Sequence, residues 1–143
     1  MSIEELAVAW SCLHDGTIEA IQTAGTTRFT ISCQYITEMF GKPDGRLVIE
    51  VSGPVTWNPW DDAGGITELG ELVDHEPEIM NAEVSEECVA VNLLLRKTSG
   101  GVLTLPGKDC KIRWADGDDV TFSGLRKAIS EYWKGWEDKK RSE

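Results

Sequence analysis

Four groups of residues carry side chains that could do chemistry. His14-Asp15-Gly16 sets an imidazole beside a carboxylate. Such a pair serves as base and orienter, or as half of a metal site. The plainer reading is a helix-ending turn, with Gly16 left-handed and Asp15 bonding nearby backbone amides. Asp74-His75-Glu76 holds the second of the two histidines. Joined to His14 and Asp15, His75 would complete a two-histidine, one-carboxylate set for zinc or iron. The spacing matches no standard ligand pattern. Trp57-Asn58-Pro59-Trp60-Asp61-Asp62 pairs indoles with carboxylates. Those indoles could stack on a sugar ring, anchor a protein partner, or fold back over a sheet edge. Tyr132, Trp133 and Trp136 recur at helical spacing with Leu125 and Ile129 and read as core.

Other chemistry is missing from the sequence. It has no GxSxG elbow, P-loop or GxGxxG. No cysteine has an adjacent histidine to activate it. Cys12, Cys33, Cys88 and Cys110 form no CxxC or CxxH pair. Cys33 and Cys110 alternate in phase with apolar neighbours, as buried thiols do. Four dispersed cysteines suit a reducing cytoplasm, with a pair of disulfides as the alternative. The start, Met1-Ser2-Ile3-Glu4-Glu5, is acidic where a secretory signal is basic. No apolar run approaches the ~20 residues that span a bilayer. The expectation is a cytoplasmic protein that uses no membrane and no cofactor.

Charge is distributed unevenly. The 143 residues hold 25 acids and 14 Lys and Arg, for a net charge of −11. Between Leu47 and Leu95 there are eleven acids and no cation: Glu50, Asp61, Asp62, Glu68, Glu71, Asp74, Glu76, Glu78, Glu83, Glu86 and Glu87. The fourteen acids elsewhere equal the fourteen cations, so the whole net charge lies in the middle third. Such a field steers a basic partner and repels nucleic acid. The expectation is one strongly acidic face or end, with Trp57 and Trp60 at or near it.

The elements that must position these groups follow from periodicity. Ser2 and Glu5 fit a capping box ahead of Leu6, Ala7, Trp10 and Leu13, which predicts an N-terminal helix. Alternation predicts a strand over Arg28–Ile36, with Thr17–Thr23 as its bulged partner. Further strands are expected at Arg46–Ser52, Glu78–Val84, Glu87–Lys97, Val102–Leu105 and Cys110–Trp114. Gly53–Gly65 reads as loop, and Ile66–Val73 is ambiguous because Gly70 interrupts its helical stripe. A C-terminal helix capped by Ser123 carries Leu125, Ala128, Ile129, Tyr132, Trp133 and Trp136 on one face, and Lys139-Lys140-Arg141 near its end. Residues 1–143 should form one α+β domain: a mainly antiparallel sheet with an N-terminal and a C-terminal helix packed on it. The expected core is Leu13, Phe29, Ile31, Leu47, Ile49, Val51, Leu93, Leu103, Ile112, Trp114, Leu125, Ile129 and Trp133.

Several fragments together carry a resemblance. They are Leu13-His14-Asp15-Gly16-Thr17-Ile18 with Ile21, Val51-Ser52-Gly53 with Trp57 and Trp60, Glu78-Ile79 with Ala82-Glu83, and Asp116-Gly117 leading to Tyr132-Trp133 and Trp136. They resemble a group of small, acidic, uncharacterised bacterial proteins, some of which look like immunity proteins of polymorphic toxin systems. The resemblance implies a compact α+β domain and brings no catalytic residues with it. The first functional expectation is a non-enzymatic immunity- or inhibitor-type protein that presents acids to a basic protein. Trp57, Trp60, Asp61, Asp62, Glu68, Glu71, Asp74 and Glu76 are its candidate contacts. One alternative is a small-ligand or carbohydrate module built on the Trp57–Asp62 loop. The other is a metal-dependent hydrolase using His14, Asp15 and His75.

Overall fold

The computed structural model describes residues 2–42, 44–61, 66, 68–96 and 99–141, with side chains as far as residue 135. Helix α1 (Ile3–Cys12) is started by the expected capping box. Ser2 Oγ accepts from the Glu5 amide at 3.1 Å, and the Ser2 amide donates to Glu5 Oε1 at 3.0 Å. The chain then makes β1 (Thr17–Gln22), β2 (Thr27–Ser32), a short α2 (Gln34–Met39), β3 (Leu47–Val51) and β4 (Thr56–Pro59). A 3-10 helix (Leu69–His75) precedes β5 (Glu78–Ser85), β6 (Cys88–Leu94), β7 (Gly101–Pro106) and β8 (Cys110–Trp114). Helix α3 (Phe122–Arg141) ends the fold. The architecture is α+β, as the periodicity predicts.

The strands form one antiparallel sheet in the order β4-β7-β6-β5-β1-β2-β3-β8. Its middle is narrow. β1 and β5 pair only at Thr17↔Glu78. Around that pair the Asp15 amide donates to Ile79 O and the Ile79 amide to Gly16 O, both at 2.8 Å. The sheet is thus two four-stranded halves joined at a corner. Helix α1 packs on β5 and β6. Its Trp10 is fully buried and meets Phe29 of β2 edge-on, with ring centroids 5.5 Å apart. One side chain therefore links the two halves through a single core. Ser11 completes the joint on the β5 side. Its Oγ donates to Ala82 O and accepts from the Ala82 amide, both at 2.9 Å. A strand edge that β1 leaves unpaired is satisfied by a hydroxyl instead.

Several expectations need correction. The strand over Arg28–Ile36 stops at Ser32, and the chain turns into α2 at Gln34. Alternation persists through Cys33 and Tyr35, but the backbone has left the sheet. The Gly53–Gly65 loop contains β4, a four-residue edge strand too short to give a periodic signal. Thr121, not Ser123, caps α3, accepting from the Gly124 amide at 3.0 Å. Asp15, not Gly16, takes the left-handed conformation after α1, at φ 67°. Gly16 is needed for space, because a Cβ there would lie 2.8 Å from Leu13 O. Trp133 is 42% exposed and Ile129 only partly buried, whereas the other expected core residues are buried. All four cysteines are free. Among the described residues, no helix is long and apolar enough to cross a membrane.

Candidate functional site

The residues of the metal reading do not converge. His14 follows α1, and its ring is stacked against Tyr35 (centroids 5.2 Å) and Trp133 (6.2 Å). Tyr132 packs against both of those rings, at 5.2 and 5.6 Å. His14 Nδ1 lies 3.3 Å from Asp15 Oδ2, so the base-and-orienter pair exists in outline. Its neighbours are poorly suited to covalent chemistry. Burial pushes the Cys33 thiol up to about 11, and raises Cys12 against the opposing charge of Arg126. Neither is an activated thiolate at neutral pH. Burial also raises the Tyr35 phenol, which lies beside the Cys33 thiol. His14 works here as a plate between aromatic rings, holding the middle of α3 to the α1 and α2 corner. His75 ends the 3-10 helix, and its carbonyl accepts from the Arg96 amide at 3.0 Å. Among the described residues, no group of three His, Cys, Asp or Glu side chains forms a metal site.

The tryptophans of the Trp57–Asp62 stretch part company. Trp57 stands opposite Leu103 on the inner face of β4 and packs on the core beside Gly101. Trp60 lies at the end of β4 and is 49% exposed, with its ring edge over Gly100. A side chain at Gly100 would collide with it and with Leu93 O, and φ of +127° there also calls for glycine. Asp61 accepts from Ser99 Oγ at 2.8 Å. Asp62 lies outside the described residues.

The strands of the acidic third are divided between the two halves of the sheet. Glu50 sits in β3, next to the last strand of one half, whereas β4, β5 and β6 belong to the other half. Glu50 is also neutralised. Its Oε2 accepts from Arg28 Nε at 2.8 Å and lies 3.8 Å from an Arg113 nitrogen. Glu76 accepts from Arg96 at 2.6 Å. Glu68, Asp74, Glu78, Glu83, Glu86 and Glu87 have no cationic partner among the described residues. Glu71, in the 3-10 helix, is half-buried.

A groove of about 1290 Å³ runs between the start of α1, the β5–β6 turn and the β7–β8 turn. Glu4, Glu86, Glu87 and Asp109 line it, together with Glu50. Ile3, Val84 and Pro106 add apolar wall. Lys108 and Lys111 are its only cations among the described residues. Its carboxylates are held at a cost. Ser85 pairs with Cys88, so Glu86 and Glu87 form a two-residue hairpin turn with φ of 49° and 65°. That geometry favours Asn-Gly, and a side chain there costs about 1 kcal/mol per residue. Asp109, at φ 54°, has the same strain in the β7–β8 turn. The sequence marks Glu86 and Glu87 as acids but carries no sign of this groove. The available signal for the turn is the absence of any Gly, Asn or Pro between two strand-like runs.

Set against protein-family models, curated proteins and solved structures, the chain matches none of them.

Proposed function

We propose that this chain is a non-enzymatic binding protein of the immunity or inhibitor kind, whose partner is a basic protein. The observation that carries the reading is the set of carboxylates on the β5 and β6 side of the molecule that have no cationic partner among the described residues. Several acids elsewhere are matched. Arg46 holds Glu19 at 2.7 Å, and Lys42 holds Asp116 and Asp118 at 2.5 and 2.9 Å. A charge left unmatched within the chain is available to a partner's Lys and Arg, and speeds their encounter by about 10–10³-fold at low salt. Trp60 is the one aromatic of the predicted contact set that stays substantially exposed and can anchor a contact. Four free thiols, one buried and three half-buried, suit work in the cytoplasm.

The test is affinity capture from the native host at low and at high salt, with identification of what elutes. The expected partner is basic and leaves as salt rises. A partner that proves acidic, or one whose association ignores salt, overturns the reading.

A further inference from the structure

We infer that the groove between α1, the β5–β6 turn and the β7–β8 turn is where an extended Lys/Arg-bearing segment of the partner docks. The inference rests on the reading above and gives it a location and an occupant.

Charge complementarity selects the occupant. Glu4, Glu86, Glu87 and Asp109 face the groove with no ion-pair partner among the described residues. Glu50 deepens the negative lining even though two arginines hold it. Lys108 and Lys111 offset only part of this, leaving the lining net negative. The positive end of α1 also points here, and Glu4 and Glu5 in its first turn counter it.

The walls narrow the choice from any cation to a long basic side chain. Ile3, Val84 and Pro106 offer apolar surface beside the carboxylates, and Val84 is 42% exposed. Lysine and arginine carry an aliphatic stem that covers such surface while the charged head reaches a carboxylate. A small metal ion has no use for those walls. A purely apolar segment would have to desolvate the rim without compensation. The Glu86-Glu87 turn adds a directional argument. It keeps two carboxylates at the mouth of the groove in a conformation that Asn-Gly would adopt with less strain.

The experiment measures binding of a fluorescent eight-residue oligolysine peptide to the full chain by anisotropy at low salt. Three proteins are compared: wild type, Glu86→Asn/Glu87→Gly, and Glu68→Gln/Asp74→Asn. The two variants lose the same charge. The first changes the groove in a turn whose φ values suit Asn-Gly, and a Tm no lower than wild type shows that weaker binding does not come from misfolding. The second changes the 3-10 helix region, outside the groove. The expected result is about tenfold weaker binding by the groove variant, with the other within about twofold of wild type. Equal weakening by both variants overturns the groove as the docking place, yet leaves the basic-partner reading standing. Failure of the wild-type chain to bind oligolysine at low salt overturns both. Sedimentation of the same proteins covers one other occupant. A wild-type dimer that the groove variant dissolves assigns the groove to a second copy and overturns the inference.

Discussion

The two halves of the sheet use charge in opposite ways. In β1-β2-β3-β8 and its connections, arginine and lysine face acids across neighbouring strands and turns: Arg28 and Arg113 on Glu50, Arg46 on Glu19, Lys42 on Asp116 and Asp118. In β4-β7-β6-β5, the strands carry Glu78 and Glu83, and the β5–β6 turn carries Glu86 and Glu87. None of these four has a cation among the described residues. Both halves fill their inner faces with Ile, Leu and Val, and both belong to one core. Hydrophobic burial therefore builds the halves alike, and electrostatics separates them. The first half pairs several of its charges internally. The second presents them outward and pays in turn strain.

The largest test of this contrast asks whether the halves are one cooperative unit. Trp10→Ala removes the ring that reaches from α1 to Phe29 and should cost about 3–5 kcal/mol. Urea unfolding followed by both fluorescence and circular dichroism should still show one transition. Two separated transitions in the wild type would mean that the halves fold independently, whereas two in Trp10→Ala alone would mean that this ring couples them. Ser11→Ala comes next. It leaves the amide and carbonyl of Ala82 without their side-chain partner and should cost about 1–3 kcal/mol. A change near zero would mean that the β5 edge finds another partner.

Smaller effects sharpen the electrostatic side of the comparison. Glu86→Asn/Glu87→Gly should stabilise the chain by about 1 kcal/mol, seen as a rise in Tm of about 3 °C. A lower Tm would show that the turn is not under strain. The smallest effect is in acid. Hydrogen bonding to Lys42 holds the Asp116 carboxyl below its ordinary value of 3.8. A depressed carboxyl contributes stability above its unfolded value, and that contribution fades as pH falls through the folded one. Lys42→Met should therefore lower stability slightly at neutral pH and flatten the acid limb below about pH 4. An acid limb as steep as wild type would dismiss the pair.

Much of the fold can be read from the sequence because its signals are local. The capping box at Ser2 and Glu5 is fixed by four residues, and alternation through Phe29 and Ile31 or Leu47, Ile49 and Val51 marks a half-buried strand directly. The irregularity expected in β1 appears as a register shift between Ile18 and Ala20. What stayed hidden depends on partners distant in the chain. Four-residue β4 is a strand only because β7 lies beside it. Tyr35 looks like a strand residue until α2 and α3 bring it against His14 and Tyr132. The groove was hidden for the same reason. Glu4, Glu86 and Asp109 belong to three turns or termini that meet only when both sheet halves are folded. The charge count was visible from the start, but topology decided that Glu50 would be neutralised and Glu87 would not.

Glu50 also has a consequence for how the chain comes into being. β3 pairs with β8, which is synthesised long after it, whereas β1–β2 and β5–β6 are hairpins of adjacent segments. During synthesis the free side of β3 must wait unpaired for most of the remaining chain. Leu47-Val48-Ile49-Glu50-Val51 would be an uninterrupted β-branched and aliphatic run without Glu50, the kind of segment that sticks to its copies. The carboxylate that two arginines neutralise in the finished fold also interrupts this apolar run, as gatekeeper residues do in exposed strands.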